Sequence, residues 1–253
     1  MTSAPPPATV PSPAPASPSP SPSPPLEQLP YVEGRLRFIK DSDFWFTDGN
    51  IVLMAMDFHL GASSMAFCVH RGLLSRHSDV FGLSFEAGLP NPTTADILGT
   101  VADCPIVRIS DSYHDFKCFL RAVYDGYVPG DVLSFAEAAA LVRTGHKYCA
   151  PLVQNVGLEI LAPRNFEDLW SLVLHFREEA IEATNLFATV APGSPAHLIA
   201  FYRCSQLEIR TILTGTRRAD GFLETLSMEE IVRWVSFILG SIYRPSNDVF
   251  MQM

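Results

Sequence analysis

Four side chains that could ligate a metal, His59, Cys68, His70 and His77, fall within twenty positions of one another. A zinc site needs about four converging nitrogen or sulfur donors. Cys68 and His70, two apart on an expected strand, would share a face, but His59 falls in the turn before that strand and His77 on the helix after it. The spacing favours a His70 satisfied by hydrogen bonds where strand meets helix. No metal and no cofactor is expected.

Other reactive patterns stop short of their chemistry. GLSFE at 82–86 approaches the Gly-x-Ser-x-Gly nucleophile elbow, but Glu86 stands where the second glycine belongs and Ser84 lies at the end of an expected helix. GTRRADG at 215–221 lacks the Gly-Lys-(Ser/Thr) ending that sets a lysine on terminal phosphates, and reads as a loop connecting helices. Glu178-Glu179 reads as a solvated helix face rather than an acid and base pair. No catalytic residue is assigned, and the chain is not expected to be an enzyme.

The elements that must position these residues follow from composition and periodicity. The 253 residues are 47% hydrophobic, enough for a real core. Residues 1–30 hold 12 of the 21 prolines and no charged side chain before Glu27, which predicts a disordered Pro/Ser-rich tail. That start is neither basic nor apolar enough for a secretory signal. The apolar stretch VSFILGSIY at 235–243 is far below the roughly 20 residues that span a bilayer. Five cysteines without a Cys-x-x-Cys pair fit reduced thiols, so an intracellular protein, cytoplasmic or nuclear, is expected, with no membrane contact. Eighteen basic against 27 acidic residues give a net charge of −9, which disfavours direct nucleic-acid binding; the densest basic run is Arg217-Arg218.

Residues 36–56 end in a strand-like apolar run, and Met65, Phe67 and Val69 alternate on one face, so a hairpin is predicted with its turn at DFHLGA. RGLLSRHSDVFGLSF carries apolar residues at helical spacing and fits two short helices. Residues 86–103 have no sustained period and read as a surface loop. PIVRIS at 105–110 reads as a strand. Ser112 and Asp115 then resemble a capping box before YHDFKCFLRAVYDG, and Ser134 with Glu137 form the Ser-x-x-Glu version before AAALVRTGHKY. Pro151 suits the first turn of a further helix. Three more helical segments, 165–190, 196–213 and 228–243, follow without a strand pattern.

Two stretches carry a family likeness. AFCVHRGLLSRHSDVF resembles the Phe-x-x-His-(Arg/Lys)-x-x-Leu and Ser-x-x-Phe signature of the BTB/POZ family through Phe67, His70, Arg71, Leu74, Ser78 and Phe81. IVRISDSYHDFKCFLRAVYDGYV is similar to the family's strand, acid and helix ending in Tyr-x-Gly, here Asp111, Tyr124 and Gly126. FWFTDGNIVL, Cys104-Pro105 and LVRTGHKY resemble the version of the domain found in filamentous and mushroom-forming fungi. AFYRCSQLEIRTILTG, with the following DG and LSMEE, is similar to extensions in the same group.

The resemblance implies an α+β fold, a BTB/POZ-like small sheet with clustered helices over 38–162, followed by an all-helical region over 163–253. It implies a scaffold or adaptor that binds itself as a homodimer and other, unidentified proteins. In that family the first strand and its preceding segment help form a two-fold interface, which makes Phe44, Trp45, Phe46, Ile51 and Leu53 candidate contacts; core burial is the other reading, and composition leaves both open. Two departures stand out. Asn50-Ile51 replaces a common Asp-Val, and Leu89-Pro90-Asn91 replaces the apolar-x-acid of members that recruit cullin ubiquitin ligases, which counts against a cullin adaptor. A transcriptional regulator working through a DNA-binding partner is the other alternative.

Overall fold

The structure, a computed structural model, describes residues 31–33, 36–59, 63–88, 97–101, 104–127, 132–161 and 179–242. The expected tail at 1–30, Leu89-Pro90-Asn91, Glu178 and the first part of the 165–190 helix lie outside the described residues. The rest forms a mixed α+β fold with nine helices among the described residues.

Strands β1 (Tyr31–Glu33), β2 (Leu36–Trp45), β3 (Ile51–Asp57), β4 (Ser63–Val69), β5 (Ile97–Val101) and β6 (Cys104–Ser112) make one sheet in the order β1-β2-β4-β3-β6-β5. The predicted hairpin is the antiparallel β3–β4 pair, in continuous register from Ile51 opposite Val69 to Asp57 opposite Ser63. Asp57 accepts the amide of His59 at 2.9 Å and so shapes the start of the turn. β6 runs parallel to β3, and β2 parallel to β4. β5 occupies part of the stretch expected to be a surface loop and pairs antiparallel with β6; at five residues, with Gly99 at a register shift, it is too short and irregular to leave a period-2 signal.

Helices α1 (Arg71–His77) and α2 (Asp79–Glu86) follow β4 directly, and α3 (Tyr113–Tyr124), α4 (Phe135–Lys147) and α5 (Pro151–Leu161) follow β6. Ser134 and Glu137 form the reciprocal capping box on α4. At α3 only half of the expected box is made: Ser112 Oγ accepts the Asp115 amide at 3.2 Å, while the Asp115 carboxylate turns to arginines. α4 and α5 cross very closely, because a Cβ on Gly145 would lie 2.6 Å from the Gln154 amide nitrogen and one on Gly157 would lie 2.5 Å from the Ala138 carbonyl oxygen.

One face of the sheet, with Leu53, Phe67, Val69 and Val107, packs on α1–α5 around Phe81, Phe116, Phe119 and Tyr148. The opposite face buries Phe38, Val52, Met54, Ala66 and Ile106. β3 is thus covered on both sides, which explains its unbroken apolar run IVLMAM. This corrects the candidate interface. Ile51 and Leu53 are 0% exposed and Phe44 is 3% exposed within a single chain, so none of the three can meet a partner. Trp45 and Phe46 are only half-buried: Trp45 stacks on Phe38 with Lys40 Nζ 4.4 Å from its ring, and Phe46 stacks on Tyr124.

The carboxyl-terminal region is not all-helical. α6 (Ala180–Val190), α7 (Pro195–Cys204), α8 (Ile209–Thr214) and α9 (Met228–Ile242) are joined by a small hairpin, β7 (Thr216–Arg217) with β8 (Leu223–Glu224). The 196–213 segment, expected as one helix, breaks between α7 and α8. There Ser205, Gln206 and Leu207 make turn hydrogen bonds back to Phe201, Tyr202, Arg203 and Cys204. No helix among the described residues is long and apolar enough to cross a membrane.

Candidate functional site

The two segments that carry the sequence motifs meet at one hydrogen-bonded node. Tyr124, at the end of α3, sits with its hydroxyl 2.9 Å from the His70 amide and 2.8 Å from His70 Nδ1. The amide can only donate, so the hydroxyl oxygen accepts it while sharing a second hydrogen bond with Nδ1, and Nε2 faces Asp48 Oδ1 at 3.3 Å. Gly126, φ +72°, ends α3 in the left-handed region, with its amide returning to the Arg121 carbonyl at 3.2 Å. Arg71 takes up Asn50 through its amide and lays its guanidinium 5.3 Å from the Phe85 ring centre.

A second node joins the remaining motif residues. Ser78 caps α2 by accepting the Phe81 amide at 3.1 Å and donates its hydroxyl to the Tyr148 carbonyl at 2.6 Å. The Tyr148 ring stacks on Phe81 at 4.6 Å, and its hydroxyl donates to Asp111, which also holds Lys147 Nζ at 2.6 Å. Leu74 and Phe67 are fully buried beside these rings. Every motif residue is therefore spent on architecture. Phe44, Trp45 and Phe46 lead into this region, and Phe46 lies 5.2 Å from the His70 ring.

Removing the Tyr124 hydroxyl with Tyr124→Phe leaves the His70 amide and Nδ1 without their shared partner. A loss of about 1–2 kcal/mol is expected in denaturant unfolding, with the stacking on Phe46 retained; an unchanged midpoint would show that the node adds nothing to stability.

Among the described residues, the largest polar constellation is one that no local sequence pattern announces. Arg143, on α4, donates through Nε and Nη2 to both oxygens of Asp115 at 2.8 Å each, and through Nη1 to Glu182 on α6 at 2.5 Å. Arg218, in the β7–β8 hairpin, reaches Asp115 at 3.0 Å, pairs with Asp220 and lies 3.5 Å from Glu224. Burial raises the Asp115 carboxyl, but the Arg143 charge, hydrogen bonds from His114 and Arg143, and the Arg218 charge outweigh it and hold the group far below the ordinary carboxylate range. Glu182 moves the other way, because burial exceeds what the two arginines return.

His114, Cys118 and Asp115 also have the outline of a nucleophile, base and orienting acid. Cys118 Sγ lies 4.0 Å from His114 Nε2, and His114 Nδ1 lies 3.4 Å from Asp115 Oδ1. Cys118 is 3% exposed and packed in the main core, and Asp115 is engaged by two arginines. No substrate reaches that sulfur in this arrangement. Ser84 is likewise buried on α2, away from any strand-to-helix turn.

The hydrogen bond to Asp115, followed by one to Cys118, raises the His114 imidazole to about 10 from 6.5. A raised histidine contributes stability that is complete below pH 6.5 and lost as pH climbs through about 10. The depressed Asp115 contributes stability present above 3.8 and lost as pH falls through its folded value. Glu182, raised above 4.5, works against folding as pH climbs from 4.5 through its folded value, and so trims stability within the acidic to neutral range. Stability measured by denaturant melts is expected to peak between pH 3.8 and 6.5, with a shallower alkaline decline in His114→Gln. The same alkaline slope in both proteins would remove His114 as its source.

A cleft of about 300 Å³ opens beside the ion cluster, lined by Arg143, Lys147, Glu182, Asn185, Arg218 and Glu224. Its arginines, lysine and carboxylates already pair within the chain. The cleft joins α4, α6 and the hairpin and offers no uncompensated charge to a ligand. No protein-family model matches the chain, and no curated protein matches it.

Proposed function

We propose that this chain is a BTB/POZ-type protein-interaction module, acting as a scaffold or adaptor through self-association and partner binding. One observation carries the reading. The two motif segments, 54 residues apart, converge on the His70–Tyr124 hydrogen bonds, and the element order around them is hairpin, helix pair, two strands and three helices. Two stretches that agree with a family signature separately also belong to one structural unit.

Binding rather than catalysis fits the side chains. The motif residues are occupied in caps, stacks and buried hydrogen bonds, while many large apolar side chains of the carboxyl-terminal helices face solvent. Light scattering on the purified chain tests the reading. A mass that rises toward twice the 27.9 kDa monomer with concentration is expected; a strictly monomeric mass throughout removes self-association.

A further inference from the structure

We propose that Ser227, the residue before α9, is a phosphorylation site for a protein kinase that selects serines followed by acidic residues. The site is independent of any self-association.

A kinase with a basic substrate groove picks its serines by charge pattern, and an acid three positions after the serine is a sparse version of such a pattern. Four serines meet it: Ser112 with Asp115, Ser134 with Glu137, Ser205 with Glu208 and Ser227 with Glu230. The fold separates them. Ser112 is 7% exposed and hydrogen-bonded to Asp220. Ser134 donates its hydroxyl to Glu137 at 2.8 Å inside the capping box, and Ser205 donates to the Tyr202 carbonyl at 2.6 Å. Ser227 is exposed. Its Oγ accepts the Glu230 amide at 3.2 Å, and among the described residues no acceptor takes its proton. The reciprocal half of a capping box is not made here, because the Glu230 carboxylate turns to Arg233 at 2.7 Å. Ser227 is also the one serine of the four with a second acid two positions on, the exposed Glu229, and Glu224 stands three positions before it.

Ser227 Oγ attacks the terminal phosphorus of a nucleoside triphosphate. The new O–P bond forms as the bond to the nucleoside diphosphate breaks, and the hydroxyl proton passes to the kinase's base. Thr225, Leu226 and Ser227 precede α9, and helix ends fray first, so Met228, Glu229 and Glu230 are the residues of α9 most readily drawn out into a kinase groove. The product carries about −1.5 to −2 charges at a helix N-terminus, where the macrodipole favours an anion. It also stands on the wall of a cleft of about 570 Å³ shared with Asn185, Glu230 and Arg233. Arg233 is the basic residue among those lining the cleft, and its side chain is 59% exposed, so it can swing to the phosphate. Glu230 then loses its partner, and its other oxygen, 3.8 Å from His197 Nε2, has no hydrogen bond to replace it. Phosphorylation thus trades the Glu230–Arg233 pair for a phosphate–Arg233 pair at the start of α9.

The test is incubation of the purified full chain with an acid-directed kinase of the casein-phosphorylating class and magnesium ATP, read by intact mass and by site mapping of the peptides. A single phosphate is expected, on Ser227, and Ser227→Ala removes it. Mapping on the wild-type chain decides the site even where Ser227→Ala, which loses a helix cap, fails to fold. Glu229→Gln, at an exposed position, is expected to leave the thermal melt unchanged and to slow incorporation about threefold, the worth of one exposed charge contact. A wild-type chain without phosphate on Ser227 overturns the site. Phosphate on Ser134 or Ser205 at the rate of Ser227 overturns selection by the free hydroxyl. An unchanged rate in Glu229→Gln overturns the direction by acidic neighbours.

Discussion

Replacing Arg143 with methionine is expected to lower the unfolding free energy by about 3–5 kcal/mol, the range for removing one partner of a buried ion pair. The side chain keeps its aliphatic bulk in this change, so the loss reports on charge. Asp115 would lose two of its hydrogen bonds and Glu182 its 2.5 Å partner. Both carboxylates are nearly buried, at 4% and 5% exposure, so solvent cannot replace the guanidinium. Arg218 remains near Asp115 and softens the effect there, but it lies 4.0 Å from Glu182. Because α3, α4, α6 and the β7–β8 hairpin all contribute to the cluster, its loss should loosen the carboxyl-terminal helices from the sheet-bearing unit. Hydrogen exchange across α6 and β7–β8 would show this as faster exchange than in α3. A loss below about 1 kcal/mol would place the cluster among ion pairs of little net worth. Arg143→Lys should recover only part of the loss, since an ammonium cannot reproduce the bidentate grip on Asp115.

The same cluster shows what a single sequence conceals. Arg143 stands in LVRTGHKY as an ordinary helical residue, and its partners lie 28 and 39 positions away, with Asp115 and Arg218 separated by 103. No local period links them. Local chemistry was legible where neighbours determine it: the Ser134–Glu137 box, Pro151 in the first turn of α5, and the β3–β4 hairpin each depend on a few consecutive residues. His70 was readable as a hydrogen-bonded residue at the strand-to-helix junction, although its partner Tyr124 was not. Phe44, Ile51 and Leu53 were ambiguous because an apolar strand fits either a core or an interface, and only coverage of β3 from both faces separates the two. In GTRRADG the Asp220-Gly221 pair is a recognised hairpin signal, but its flanking strands are two residues each, too short for alternation to register. The exposed phase of α9 was present in the sequence too, yet indistinguishable from a buried one until the packing of Trp234 fixed which side faced inward.

Tyr148→Ala is expected to be the most damaging single truncation in the core, at about 3–5 kcal/mol. The residue is fully buried, stacks on Phe81 at 4.6 Å and contacts Phe116 and Phe119 at ring-centre distances of 5.9 and 5.4 Å. Deleting the ring opens a void among three aromatics fixed by separate elements, α2 and α3, which cannot all collapse into it. The hydroxyl carries a smaller, separable share. Tyr148→Phe keeps the stack and removes only the hydrogen bond to Asp111, whose carboxylate still holds Lys147, so about 1–2 kcal/mol is expected. The Ser78 bond to the Tyr148 carbonyl is backbone-directed and should survive both changes. Comparing the two variants by denaturant unfolding therefore divides packing from hydrogen bonding at the point where α2, α3 and the end of α4 meet. Equal losses in both would mean that the hydroxyl, not the ring, holds that junction.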